Sequence, residues 1–162
     1  MHPESLAEMA RILDRWPIGP ANVLDVGSYD VNGTYRGMVE VRGWKYTGLD
    51  LRSGPNVDVV SSDPVHFPFE DGAFDIVISG STLEHVEKPW LLVPELARLL
   101  RPGGLLAIIT HWTYGYHPYP RDTFRYMPDG MEVLFDLAGC LRDYDIFCFN
   151  GTDIRGVAYK AG

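Results

Sequence analysis

The sequence predicts an α/β fold: a mostly parallel, seven-stranded sheet with helices on both faces and an antiparallel hairpin at its C-terminal end. Three observations predict it. The apolar runs at 23–26, 74–79 and 105–110 ("LLAIIT") are nearly continuous rather than alternating, as strands buried on both faces are. Helical patterns fall between the strands, an alternation that implies parallel strands joined by crossovers. Near the end, Asn150-Gly151 separates two short strand patterns, 143–149 and 153–159, and is a strong two-residue hairpin signal.

In chain order, an amphipathic helix is expected over 4–15, with Leu6, Met9, Ala10 and Leu13 on its buried face and Pro17-Ile18-Gly19-Pro20 as its stop. The first strand, 23–26, precedes a short helix within 34–41. "KYTGLDL" at 45–51 reads as the second strand, closed by "RSGPN", and "VDVV" at 57–60 as a short third. The fourth strand, 74–79, follows the turn Glu70-Asp71-Gly72. Ser81 and Glu84 have capping-box spacing. The next helix buries Leu92, Leu96, Leu99 and Leu100. It tolerates Pro94 if it begins near Pro89 and is stopped by Arg101-Pro102-Gly103-Gly104. A fifth strand, a long loop (111–128) and a helix from about Pro128 to Gly139 lead to the hairpin. The alternation of strand with helix is counted five times.

Composition narrows the function classes. The 162 residues suffice for one domain with a sizeable core, and no repeat or linker divides them. A net charge of −8 argues against gripping a nucleic-acid backbone, which takes Lys and Arg. No run approaches the roughly 20 apolar residues of a membrane span, and "MHPESLAEMARIL" has no signal-peptide pattern. Cys140 and Cys148 form no metal or redox spacing, so a reduced, cytosolic protein is expected, and the acidic net charge favours a small-molecule substrate.

Ligands in such sheets sit beyond the carboxyl ends of the strands, where strand order reverses. The first strand ends at Asp25-Val26-Gly27, and Ser28, Asp30 and Asn32 add polar groups before Gly33. This degenerate glycine loop is a weak signal alone, equally readable as a turn rich in turn formers. Asp50 ends the second strand 23 residues beyond Gly27 (50 − 27 = 23), close to the spacing at which a carboxylate accepts from ribose hydroxyls. The pair fits NAD as well as other adenosine cofactors.

The downstream stretch separates them. Asp63, then Phe67-Pro68-Phe69-Glu70-Asp71-Gly72-Ala73-Phe74-Asp75, then Leu83-Glu84-His85-Val86 and Leu99-Leu100-Arg101-Pro102-Gly103-Gly104 follow "VLDVGS" and "YTGLDL" in order. Over about 22–110 this series closely resembles the S-adenosylmethionine-dependent methyltransferases of the small class I, type 11 kind. The resemblance implies a Rossmann-like sheet and S-adenosyl-L-methionine as cofactor. It also implies that Asp25, Gly27 and Ser28 line the methionine end, with Asp25 placing the amino group. Asp50 would hold the ribose and Leu51 would lie against the adenine. Asp63 would reach the adenine amino group, while Ser79, Gly80 and Ser81 close the pocket near the sulfonium. Where the family carries D-x-G-x-G-x-G, this chain has "DVGSYDVNG", read as a longer loop in which Asn32-Gly33 replaces the later glycines.

Methyl transfer from a sulfonium is an in-line displacement, so the protein must align the acceptor, exclude water and supply a base for a hydroxyl. His111, opening the substrate loop at a strand end, is the first candidate base and His85 the second, although a histidine taken singly is more often a hydrogen-bonded structural one. In the long loop, His117, Tyr119, Asp122 and Arg125 are candidate substrate contacts, the alternative being a loop pinned by Arg125 to a carboxylate. A metal site from His111, His117 and Asp122 matches no ordinary ligand spacing, and no metal is expected.

The reading is one domain, 1–162: an N-terminal helix (1–20), a cofactor-binding core (21–110), a substrate loop (111–128) and a C-terminal helix and hairpin (129–162). It transfers a methyl group from S-adenosylmethionine to a small-molecule acceptor, oxygen slightly preferred over nitrogen. Neither nucleic acid nor membrane is a partner, and a homodimer is one source of the wall that no cap domain provides. The alternative is a non-catalytic cofactor-binding protein that activates or stabilises a partner; an NAD-dependent oxidoreductase fits only the first two strands.

Overall fold

The computed structural model describes residues 2–17 and 19–162; Ile18, within the expected helix stop, lies outside the described residues. Along each buried strand, successive side chains serve opposite faces, and this sets the layers. In β1 (Asn22–Val26), Val23 joins one core while Leu24 and Val26 join the other. In β4 (Phe74–Gly80), Ile76 and Ile78 oppose Val77 in the same way, and β5 (Leu100–His111) continues the pattern. One face is covered by α1 (Pro3–Leu13) and α2 (Arg36–Glu40), through Met9, Ile12, Leu13 and Val39. The other is covered by α3 (Pro89–Leu99) and α4 (Pro128–Leu137), through Leu92, Leu96, Met131 and Phe135. Each such fully buried side chain contributes about 1.5–3 kcal/mol against conformational entropy.

With β2 (Lys45–Asp50), β3 (Val59–Val60), β6 (Leu141–Phe149) and β7 (Asp153–Lys160), the sheet has the order β3-β2-β1-β4-β5-β7-β6. Strands β1 to β5 pair in parallel, and β7 inserts antiparallel between β5 and β6. Asn150 and Gly151 both have positive φ (48° and 81°), which gives the hairpin the twist its strands need. The expected fold class is the one observed. Strand order reverses between β1 and β4, opening a crevice there.

Four local expectations fail for identifiable reasons. Helix α1 buries Ser5 and Glu8 with Met9, Ile12 and Leu13, leaving Leu6 and Ala10 half-buried. Polar partners on β7 explain the rotation: Ser5 Oγ donates to Asp153 Oδ2 at 2.5 Å, and Arg155 pairs with Glu8. Ser81 and Glu84 form no capping box; Leu83–His85 is a single 3-10 turn whose Ncap, Thr82, makes no side-chain capping bond, and Ser81 has a φ of 49°. Arg101-Pro102-Gly103-Gly104 does not separate helix from strand. Pairing resumes already at Leu100 opposite Phe74, and the four residues form an irregularity within β5, with Gly103 at a φ of 75°. Finally, no α-helix joins β2 to β3 or β3 to β4. Residues 61–73 are instead held as coil by Arg98, which donates to the carbonyls of Phe67 and Phe69 and pairs with Asp71 at 2.6 Å.

At the end of β4, a Cβ added to Gly80 would lie 2.0 Å from the hydroxyl of buried Tyr35. Gly80→Ala is therefore expected to lower the unfolding free energy by about 1–3 kcal/mol, read from the denaturant midpoint. An unchanged midpoint contradicts this packing.

Candidate active site

A cavity of about 1280 Å³ opens over the carboxyl ends of β1, β2, β4 and β5. That volume exceeds the upper end of ordinary ligand pockets, about 1000 Å³, which leaves space for two molecules side by side.

Its first wall is the loop after β1. Gly27 and Ser28 donate their backbone N–H groups to Leu49 O (2.9 and 3.1 Å), bending the chain over β2. Gly27 has a φ of 80°, and an added Cβ would lie 2.1 Å from Thr82 Oγ1, so only glycine lets this loop meet the turn after β4. Asp30 Oδ1 accepts from Gly33 N (2.8 Å), folding the stretch that departs from the family's glycine repeat into a self-closed turn. Beneath it, Tyr46 Oη donates to Asp25 Oδ2 (2.5 Å) and accepts from Asn56 Nδ2 (2.8 Å). Burial pushes the Asp25 carboxyl up; Asp50 adds to that, while Tyr46 and Arg36 oppose it, and the group sits at about 7.

At the end of β2, the Asp50 carboxylate accepts from Leu51 N (2.8 Å) and Tyr29 N (3.2 Å), which fixes its orientation in the cavity wall. Leu51 is exposed beside it. Asp63 Oδ1 accepts from Val65 N and His66 N (2.9 and 3.0 Å), leaving Oδ2 for a further donor. Gly80 and Ser81 line the cavity. Ser79 does not: its hydroxyl donates to Val26 O (2.9 Å), tying β4 to β1. The Arg52 guanidinium lies over the rings of Tyr29 (4.2 Å) and Tyr119 (4.6 Å) and bonds the Tyr119 hydroxyl, linking the β2 loop to the long loop. Sequence reading missed this bridge, because residues so far apart carry no joint signal.

The far end of the cavity is built around Glu84. It is fully buried; Oε2 accepts from Thr110 Oγ1 (2.7 Å), while Oε1 has no hydrogen-bond partner. Nε2 of His111 lies 3.3 Å from Oε1, Nε2 of His85 3.9 Å and Nε2 of His117 4.0 Å. His111 Nδ1 bonds Asp153 Oδ1 at 2.6 Å. Burial pushes the Asp153 carboxyl up, but hydrogen bonds from His111, Ser5 and Asn150 outweigh it and hold it at about 2. Asp153 is thus anionic near neutrality, and His111 directs its second nitrogen toward Glu84.

The long loop, 112–127, is fastened to this centre. Thr123 Oγ1 donates to Glu84 O and Val86 O (2.7 and 2.9 Å), and Tyr126 Oη donates to Leu83 O (2.9 Å). His117 and Tyr119 line the cavity, but Asp122 and Arg125 do not. These two pair at 2.6 and 2.7 Å; the Arg125 bonds hold the Asp122 carboxyl well below its usual range, and Asp122 Oδ2 accepts from His117 N (2.8 Å). They lock the loop instead of facing a substrate. For the same reason His111, His117 and Asp122 do not converge as a metal set.

The residues fit an adenosyl-sulfonium cofactor in charge and shape. Three carboxylates, Asp25, Asp50 and Asp63, border the half of the cavity nearest β2, suited to an ammonium, ribose hydroxyls and an adenine amino group. Ser28 Oγ, buried and without a partner, adds a free polar atom there.

Comparison with known proteins agrees with this geometry. Residues 24–108, just over half of the chain, match the family described as the methyltransferase domain, and the chain belongs to that family, the class I S-adenosylmethionine-dependent methyltransferases of type 11. An uncharacterized methyltransferase of Mycobacterium sp. (strain KMS) is 32% identical over 114 residues, 61% of this chain and 44% of the relative. The chain therefore spans less than half the length of that curated relative. Among solved structures, 1,6-didemethyltoxoflavin-N1-methyltransferase of Burkholderia thailandensis, with bound 1,6-didemethyltoxoflavin and S-adenosylhomocysteine, superposes with a TM-score of 0.73 at 19% identity, covering 99% of this chain and 78% of that one. A SAM-dependent methyltransferase from Aquifex aeolicus gives 0.72 at 18% identity, covering 99% and 100%. At these identities the structural likeness is one of fold.

Asp25 gives the site a pH signature. Its carboxyl sits at about 7 when folded, against about 3.9 in an unfolded chain. Between those values the folded protein keeps a proton that the unfolded chain releases, so this group makes stability fall as pH rises from about 4 to about 7. Glu8, Asp75, Asp145 and Asp153, held low, act in the opposite sense but level off at lower pH. Asp25→Asn keeps an acceptor for Tyr46 and removes the titration. Unfolding free energies from about pH 5 to 7 should show the wild type losing stability relative to the variant; a constant difference contradicts the raised value.

Proposed function

We propose that this chain transfers a methyl group from S-adenosylmethionine to a small-molecule acceptor, a hydroxyl oxygen slightly preferred over nitrogen. The observation that carries the reading is continuity: one cavity joins the carboxylates Asp25, Asp50 and Asp63 to the centre formed by Glu84, His85, His111 and His117. Bound there, the cofactor supplies an electrophilic methyl group and a thioether leaving group. Asp50 would take the ribose hydroxyls, Asp25 the amino group, Asp63 the adenine amino group and Leu51 the adenine face, with Gly27, Ser28, Gly80 and Ser81 shaping the wall.

The His111–Asp153 pair supports a general-base role. The carboxylate fixes the Nδ1–H tautomer, which leaves Nε2 to accept a proton from the acceptor hydroxyl as its oxygen forms the new bond to carbon and the C–S bond breaks. His85, whose Nδ1 faces Arg121 O at 2.5 Å, shapes the acceptor end. The long loop is fixed beside the acceptor end through its bonds to Glu84 O, Val86 O and Leu83 O, which holds that end in one geometry. An acceptor space with an oriented base disfavours the non-catalytic alternative, and the family match disfavours NAD. Among the described residues no helix is long and apolar enough to cross a membrane. The reading extends to a cytosolic chain working as one domain over 1–162, with a homodimer closing the open side of the cavity.

Two variants test the reading. Hydrogen bonds to a charged group are worth about 1.5–3 kcal/mol, so Asp50→Ala should weaken S-adenosylhomocysteine binding at least about tenfold by calorimetry; unchanged affinity removes Asp50 from the site. His111→Ala should lower methyl transfer about a hundredfold or more, with cofactor affinity nearly intact, measured on an acceptor found by screening for mass gain of one methyl group. Loss of cofactor affinity with turnover retained overturns its assignment as base.

A further inference from the structure

We propose that Glu84, His85 and His117 form a binding site for one divalent transition-metal ion, zinc being the probe of choice. Their ligand atoms lie within 4.8 Å of one another at the acceptor end of the cavity.

The tautomers make the case. His85 Nδ1 lies 2.5 Å from Arg121 O and His117 Nδ1 lies 2.9 Å from Gly115 O. A carbonyl oxygen only accepts, so in both rings Nδ1 carries the proton. A neutral ring then presents a bare lone pair at Nε2. Both Nε2 atoms face Glu84 Oε1, at 3.9 and 4.0 Å, and that oxygen is fully buried and unpartnered. With both rings neutral, two imidazole lone pairs and a carboxylate lone pair converge on one point. A buried carboxylate oxygen without a partner is costly, and a cation between the three would satisfy all of them together.

The second layer is that of a metal site. Each histidine has its far nitrogen anchored on an oxygen, which fixes the ring and raises its basicity. The carboxylate is anchored too, through Thr110 Oγ1 on Oε2 at 2.7 Å. Arg125 and Asp122 hold the His117 segment from behind, and Thr123 clamps the 3-10 turn that carries Glu84 and His85. Zinc bound at about 2.0–2.2 Å to two nitrogens and one carboxylate oxygen needs ligand atoms a little over 3 Å apart. The distances to Glu84 Oε1, 3.9 and 4.0 Å, must shorten by less than about 1 Å and the widest separation in the set, up to 4.8 Å, by about 1.5 Å, which two histidines that are not fully buried can supply. Two imidazoles with one carboxylate suit zinc, iron or manganese and leave coordination positions open.

The sequence hid the set, because His117 lies 32 residues beyond His85 (117 − 85 = 32) and only the return of the long loop brings them together. His111 Nε2, 3.3 Å from the same oxygen, borders the open side. On the methyl-transfer reading above, an acceptor would bind the ion through oxygen there, next to the base.

The test uses the untagged full chain, stripped with a chelator and titrated with zinc and, separately, cobalt(II), whose visible spectrum reports nitrogen and oxygen ligation. One equivalent of zinc per chain is expected, with micromolar or tighter affinity. His117→Ala and Glu84→Gln should each weaken binding at least about tenfold, with unfolding of each variant followed by circular dichroism. His117, on the loop, supplies a variant that folds should Glu84→Gln not. No stoichiometric zinc, or affinity unchanged in folded His117→Ala, overturns the site. Cofactor affinity measured on the stripped protein separates the two proposals: zinc binding without cofactor binding defeats the methyl-transfer reading alone, and the reverse defeats the metal site alone.

Discussion

The structure depends on one pairing: β1 beside β4 in parallel, Val23 opposite Ile76, Leu24 opposite Val77 and Asp25 opposite Ile78. Chain connections leave these neighbours in opposite directions, toward β2 and β3 on one side and toward β5 on the other. The connections that follow β1 and β4 turn away from each other, so the carboxyl ends of both strands face a crevice, which the long loop after β5 bridges. The register also sets what reaches it, with Asp25 and Gly27 arriving on one side and Gly80 and Ser81 on the other. Ser79 Oγ on Val26 O and the near contact of Gly27 with Thr82 fasten the two rims together. A slip of one residue would turn every side chain of β1 to the wrong core.

Burial then gives the crevice its chemistry. Asp25 is pushed up to about 7 because its surroundings are apolar and Asp50 is near, so it has most to gain from a cationic ligand. Glu84 is buried more deeply, with one oxygen satisfied by Thr110 and the other aimed at histidine nitrogens. The two ends therefore differ in kind: one offers oriented acceptors, the other a cluster of nitrogens around an unpartnered oxygen. The long loop spans both, through Tyr119 on Arg52 at one end and His117 beside Glu84 at the other.

Much of the fold was legible in the sequence, because it rests on local signals. Continuous apolar runs marked β1, β4 and β5, and Asn150-Gly151 marked the hairpin. Asp25, Gly27, Asp50 and Asp63 were likewise legible as cavity residues, since strand ends fix their location whatever the loops do. What was not legible depends on contacts between distant segments. The buried face of α1 follows from Asp153 and Arg155, more than 140 residues away. Ser79 reads as a pocket residue but turns back to β1, while Asp122 and Arg125 read as substrate contacts but satisfy each other. The tilt of Glu84 away from a helix cap, toward Thr110, follows from the 3-10 turn that Thr123 and Tyr126 hold.

The most direct test is a crystal structure of the chain grown with S-adenosylhomocysteine. The expected binding mode puts the ribose hydroxyls on Asp50, the homocysteine amino group near Asp25 and Gly27, and the sulfur along the cavity toward Glu84. Density for the ligand elsewhere on the surface, or a cavity left filled by water at saturating ligand, would contradict it.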